Sequence, residues 1–142
     1  MFNFYSTAGL IFGNETSLNS CNQIIDTLGK NIFVVSDRGL TALGLIEPTI
    51  KKIKKNCNIK IFNDVESDPS KKTLLNAFSD AREFESTGVL GFGGGSSMDV
   101  AKLVSLLLGS NQQIETIWGV NNAKGPRLPL VLIPTTAGTG SE

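Results

Sequence analysis

GVLGFGGGSSMDVAK, residues 88–102, passes from an apolar run through consecutive glycines into a helical pattern. The run at 88–92 predicts a buried strand, and residues 96–108 predict an amphipathic helix. Three adjacent glycines have no Cβ atoms to obstruct an anion, and they leave backbone N–H groups free to point at one. Ser96 and Ser97 add hydroxyl donors and stand where they can cap the helix, whose positive end favours negative charge. The stretch therefore suits a diphosphate. It is not a P-loop, because the Gly-Lys-Ser/Thr ending is missing. It also matches G-x-G-x-x-G only at Gly91 and Gly93, with Ser96 in the third glycine position. The plainer alternative is a tight strand-to-helix turn with a serine cap.

Outward from this stretch, apolar runs alternate with helical patterns in both directions. Asn14 is placed to cap a helix over 15–28, with Leu18, Cys21, Ile24, Ile25 and Leu28 on one face and Gly29 as its stop. Residues 31–36 read as a buried strand, and 40–45 as one or two helical turns. Residues 47–56 read as a helix with Pro48 in its first turn. The run of Lys51, Lys52, Lys54 and Lys55 reads as a solvated helix face. A strand at 59–63 and a helix opened by Asp68-Pro69 and running to Glu85 come next, and a last strand lies at 130–133. Residues 2–5 and 10–12 suggest an opening pair of strands. Residues 109–129 read as a loop around Ile117 and Trp118, long enough to imply structure or a task, with Trp118 as a packing anchor.

Strands alternating with helices predict an α/β, Rossmann-like fold: a mainly parallel sheet, right-handed crossovers, helices on both faces. Ligands of such sheets bind at the carboxyl ends of the strands. Three segments fall there: Asp37, residues 93–99 and residues 134–141. In IPTTAGTGSE, residues 133–142, the hydroxyls of Thr135, Thr136 and Thr139 suit a ribose, a base edge or a phosphate, although a polar tail would read the same way. A carboxylate at Asp37 can accept hydrogen bonds from a ribose diol and would repel a 2′-phosphate. An aspartate in a turn is also ordinary.

Composition narrows the classes. At 142 residues the chain is one domain's worth. Its 13 basic and 13 acidic residues cancel, which argues against a nucleic-acid or anionic-membrane partner. It contains no histidine, so neither a Ser-His-Asp triad nor an imidazole metal ligand is available. Two cysteines are too few for a structural zinc site and suit a reducing compartment, with a single disulfide as the alternative. No run approaches the ~18 apolar residues of a membrane span, and the N-terminus lacks the basic region of a signal peptide. A soluble, cytoplasmic protein is expected.

GGGSSMDVAK at 93–102 and IPTTAGTGSE at 133–142 resemble the two signature stretches of the iron-containing alcohol dehydrogenases, in the same order and at fitting spacing. LIFGN at 10–14, VVSDRGL at 34–40 and the Asp68-Pro69 pair extend the resemblance over essentially the whole chain. It implies the N-terminal domain of a dehydroquinate synthase-like fold and NAD as cofactor. By position, Gly94, Gly95 and Ser96 would hold the cofactor diphosphate, and Asp99 would lie near the nicotinamide end. Thr135, Thr136 and Thr139 would line the cofactor cleft, and Asp37 would favour NAD over NADP. Lys102 occupies a motif position of unassigned role. Asp68 stands where the family often has Asn, which puts a cofactor contact there in doubt.

Complete members of the family are more than twice as long. Their second, helical domain supplies an Asp and three His to a divalent iron, or to zinc in some members. The resemblance therefore implies that residues 1–142 are the dinucleotide-binding part of a longer enzyme, incomplete at its C-terminal end and inactive alone. No residue of the chain takes a catalytic or metal-ligating role. The substrate would be a small alcohol or aldehyde of unspecified identity, and a homo-oligomer is compatible. Two alternatives stand beside this. One is a sister family, glycerol dehydrogenase or dehydroquinate synthase, against which the full IPTTAGTGSE string argues. The other is a non-catalytic remnant that binds nucleotide weakly or associates through uncovered apolar surface.

Overall fold

The computed structural model describes residues 9–142. Two helices, α1 (Thr16–Asn19) and α2 (Cys21–Leu28), lead into strand β1 (Asn31–Val35). Helices α3 (Arg38–Ala42) and α4 (Glu47–Ile53) connect it to β2 (Asn58–Phe62). Helix α5 (Lys71–Glu83) leads to β3 (Gly88–Gly93), and α6 (Gly95–Ser110) with a short 3-10 turn (Ile114–Thr116) leads to β4 (Leu130–Pro134). The strands form one parallel sheet in the order β2-β1-β3-β4, with Val34 opposite Ile61 on one side and Leu90 on the other.

The two-residue period of β1 and β3 builds two cores. Ile32, Val34, Leu90 and Phe92 pack against Cys21, Ile24 and Leu28 of α2 and Ile50 and Ile53 of α4. Phe33, Val35 and Val89 face the opposite way, onto Leu74 and Ala77 of α5 and Val100, Ala101 and Val104 of α6. A right-handed crossover stepping from β1 outward to β2 places its helix on one face. The crossovers stepping back past β1 to β3 and on to β4 place theirs on the other. The chain thus reverses direction between β1 and β3, and a crevice opens at their carboxyl ends. Gly91 lets α6 lie close to the sheet: a Cβ there would sit 2.8 Å from both Ala101 Cβ and Leu132 Cδ2.

Several boundaries differ from the pattern-based reading. The helix expected over 15–28 is broken at Ser20, whose φ of −94° and ψ of 9° leave the helical region. The four-residue α1 buries nothing, so α2 alone carries the apolar face, and Asn14 caps neither piece. Helix α3 starts earlier than 40 because the Asp37 carboxylate accepts a hydrogen bond from Leu40 N at 2.9 Å. Asp68, at a left-handed φ of 57°, cannot open α5, and Ser70 caps it instead by accepting from Thr73 N. Helix α4 ends at Ile53, so Lys54 and Lys55 fall beyond its helical residues; all four lysines of the run are exposed.

Residues 2–5 lie outside the described residues, and 10–12 form no strand; Leu10 and Phe12 are exposed. The long loop after α6 holds the 3-10 turn, and Ser105 Oγ donates to Leu128 O at 2.7 Å, tying its return to the helix. Trp118 is not a packing anchor. Ile114 and Ile117, three residues apart, fill the core position, and Trp118 falls outside with 61% of its surface exposed. Cys21 and Cys57 are both buried and free, so the disulfide alternative is not realised. Among the described residues no helix is long and apolar enough to cross a membrane.

Candidate functional site

A cleft of about 530 Å3 opens at the carboxyl ends of β1, β2 and β3. Asp37, Arg38 and Gly39 line it from the end of β1, Asp64 to Ser67 from the end of β2, and Gly94 to Ser97 from the turn into α6. These are the positions at which the direction reversal of the chain leaves a crevice.

The glycine turn forms the floor. The expected serine cap is absent: the N-cap residue is Gly94, which has no side chain to take the N–H groups of the first turn of α6. Ser97 is instead buried beneath the turn, its Oγ 2.7 Å from where a Cβ of Gly93 would stand. A Cβ on Gly94 would meet only Thr136, at 3.6 Å, so the front of the turn is open. Uncapped donors at a positive helix end, beside space that a side chain would fill, fit the diphosphate of a dinucleotide.

The opposite wall is acidic. Asp37 Oδ1 is held by Leu40 N, while Oδ2 lies 3.4 Å from the Gly93 Cβ position. Arg38 directs Nε and Nη2 to Asp64 Oδ1, each at 2.8 Å, and this partner raises the guanidinium pKa further. Glu66 accepts from Thr73 Oγ1 at 2.6 Å and from Ser70 N at 2.9 Å. These bonds favour its ionised form and lower its pKa to about 2. The wall carries three carboxyl side chains against one guanidinium, a poor setting for an additional phosphate.

The remaining residues singled out in the sequence, Asp99, Thr135, Thr136 and Thr139, do not line this cleft. The 134–142 segment returns onto the start of α6. Thr135 N donates to Gly93 O at 2.9 Å, Thr136 borders Gly94, and Thr139 lies 3.3 Å from the Gly95 Cβ position. The hydroxyl of Thr139 is engaged, donating to Glu142 Oε2 and accepting from Ser141 N. All three threonines are exposed. Asp99 stands a full turn into α6, exposed and paired with Lys102 at 2.9 Å. Asp64, Glu66 and Ser67 were not anticipated. Their signal was the polar stretch NDVESD directly after β2, at the carboxyl end of a strand.

The family model for iron-containing alcohol dehydrogenase matches residues 8–142. The chain belongs to the iron-containing alcohol dehydrogenase family. Within it, the chain is 31% identical over 142 residues to sulfoacetaldehyde reductase of Bilophila wadsworthia, covering 99% of this chain and 37% of that protein. It is 29% identical over 143 residues to NAD-dependent methanol dehydrogenase of Bacillus methanolicus, covering 100% of this chain and 38% of that one. The crystal structure of an iron-containing alcohol dehydrogenase from Thermotoga maritima superposes with a TM-score of 0.84 at 35% identity, over 100% of this chain and 40% of the other. The chain thus spans less than two fifths of the length of either curated relative. The residues present do not fit the iron of the family name. The sequence has no histidine, and among the described residues no three His, Cys, Asp or Glu side chains gather where they could hold a metal.

Proposed function

We propose that residues 1–142 are the dinucleotide-binding part of an NAD-dependent alcohol dehydrogenase. The observation that carries the reading is the pairing of an uncapped glycine turn with an acidic wall across one cleft. The free N–H groups of Gly95 and Ser96, with the open face of Gly94, bind the diphosphate. Asp37 accepts from the adenosine ribose through the carboxylate oxygen that Leu40 leaves free. Thr136 and Thr139 border the turn at Gly94 and Gly95. Resemblance to the family assigns Thr135, with Thr136 and Thr139, to the cofactor cleft and Asp99 to the nicotinamide end.

When bound, the nicotinamide supplies the hydride acceptor or donor, and this chain orients it. Similarity to the NAD-dependent methanol dehydrogenase of Bacillus methanolicus supports NAD as the cofactor. The alcohol or aldehyde substrate, the divalent iron or zinc and any oligomeric partner belong to the activity of the whole enzyme, to which this chain contributes the cofactor. Free buried thiols suit a cytoplasmic setting.

Calorimetric titration of the chain with NADH, and with NADPH for comparison, tests the reading. Saturable NADH binding with much weaker NADPH binding is the expected outcome. No binding of either would overturn it and leave the remnant reading in place.

A further inference from the structure

Arg38 directly follows Asp37 and begins α3, so it stands where the ribose end of a dinucleotide would lie if the cleft is read as above. An arginine in that place is the usual means by which such a site accepts a 2′-phosphate, because its planar fork matches the phosphate oxygens. Here the fork is taken. Both Nε and Nη2 point at one oxygen of Asp64. Asp64 reaches Arg38 because β2 is the sheet neighbour of β1, which sets the two strand ends side by side. Glu66, on the same loop, does not compete for the guanidinium: Thr73 and Ser70 hold its carboxylate.

We infer that Asp64 is a second cofactor-selecting residue, which rejects NADPH by holding Arg38 away from the 2′-phosphate. This rests on the dinucleotide reading of the cleft. Asp37 repels the extra phosphate directly, and Asp64 withdraws the one countercharge on that wall. NADH, with a free 2′-hydroxyl, needs no such countercharge. The Arg38 and Asp64 side chains are 80% and 56% exposed, so solvent weakens the pair and the selection it imposes is modest.

Titrations of NADH and NADPH, followed by calorimetry or cofactor fluorescence, test this without any turnover. Asp64→Asn is near-isosteric at an exposed position, and Asp64→Ser serves as a second variant. Either is expected to tighten NADPH binding relative to NADH by three- to tenfold, with NADH itself changing less than twofold. Adding Arg38→Gln to Asp64→Asn is expected to abolish the gain. An unchanged cofactor ratio in both single variants overturns the inference. A gain that survives loss of Arg38 also overturns it, because the effect would then be bulk charge alone. NADH binding by the unsubstituted chain with an unchanged ratio defeats only this inference. Absence of NADH binding defeats the cleft reading and the inference together.

Discussion

Ser36 Oγ donates a hydrogen bond to the Phe92 carbonyl at 2.8 Å, joining the ends of β1 and β3 beneath the cleft. The hydroxyl is fully buried, directly after β1, where the sheet changes direction. Its removal leaves a buried acceptor short of a partner. Ser36→Ala is expected to lower unfolding free energy by about 1–2 kcal/mol in urea titration. An unchanged midpoint and slope would mean that the backbone alone holds the strand ends together.

Two neighbouring glycines separate folding from binding. A Cβ on Gly93 would lie 2.7 Å from Ser97 Oγ and 2.8 Å from Ser97 Cβ, so Gly93→Ala overpacks the turn and is expected to cost about 1–3 kcal/mol. A Cβ on Gly94 meets nothing nearer than 3.6 Å, and its φ of −78° suits any residue. Gly94→Ala is therefore expected to melt within a few degrees of the unsubstituted chain yet to weaken NADH binding at least tenfold. Thermal melting and calorimetry on the same two proteins separate the effects. Full NADH affinity in Gly94→Ala would exclude the turn as the diphosphate site.

Asp37 has two tasks that substitution can part. Its Oδ1 caps α3 through Leu40 N. Asp37→Asn keeps an acceptor for the cap and removes the charge. Its stability is expected to stay within about 0.5 kcal/mol, while its NADH-over-NADPH preference narrows about tenfold. Asp37→Ala loses the cap as well, at a cost of about 1 kcal/mol. Equal cofactor preference in Asp37→Asn and the unsubstituted chain would remove Asp37 from cofactor selection.

Glu66 predicts an acid dependence. Hydrogen bonds from Thr73 and Ser70 lower its folded pKa from the ordinary 4.5 to about 2. The native state therefore binds fewer protons than the unfolded chain between those values. The contribution of Glu66 is complete above pH 4.5 and disappears as pH falls toward 2. Melting curves of the chain and of Glu66→Gln should differ most above pH 4.5 and converge on acidification. A constant difference across that window would show that the carboxylate is not held in the folded state.

How much of this was legible in the sequence varied with the range of the interaction involved. The two-residue period of 31–35 and 88–92 reported β1 and β3 well, because both strands are buried on both faces and their side chains alternate between two cores. The starts of α3, α5 and α6 were harder. Each depends on which of several neighbouring polar or glycine residues takes the cap: Asp37 for α3, Ser70 for α5 and the side-chain-free Gly94 for α6. Trp118 was misread because aromatic character predicts burial only on average. Here Ile114 and Ile117 filled the space first.

Local pattern by itself determined the alternation of strand and helix, the parallel sheet it implies, the glycine turn at 93–95 and the family. Each of these is written in short-range periodicity or in a contiguous string of residues. Strand order is not. Only the tertiary structure set β2 beside β1, and with it brought Asp64 onto Arg38 and Glu66 onto the cleft wall. Asp64 lies 26 positions from Arg38 along the chain, and Glu66 lies two further. Their meeting follows from which sheet edge the crossovers choose, a balance of burial over both faces that no single segment records.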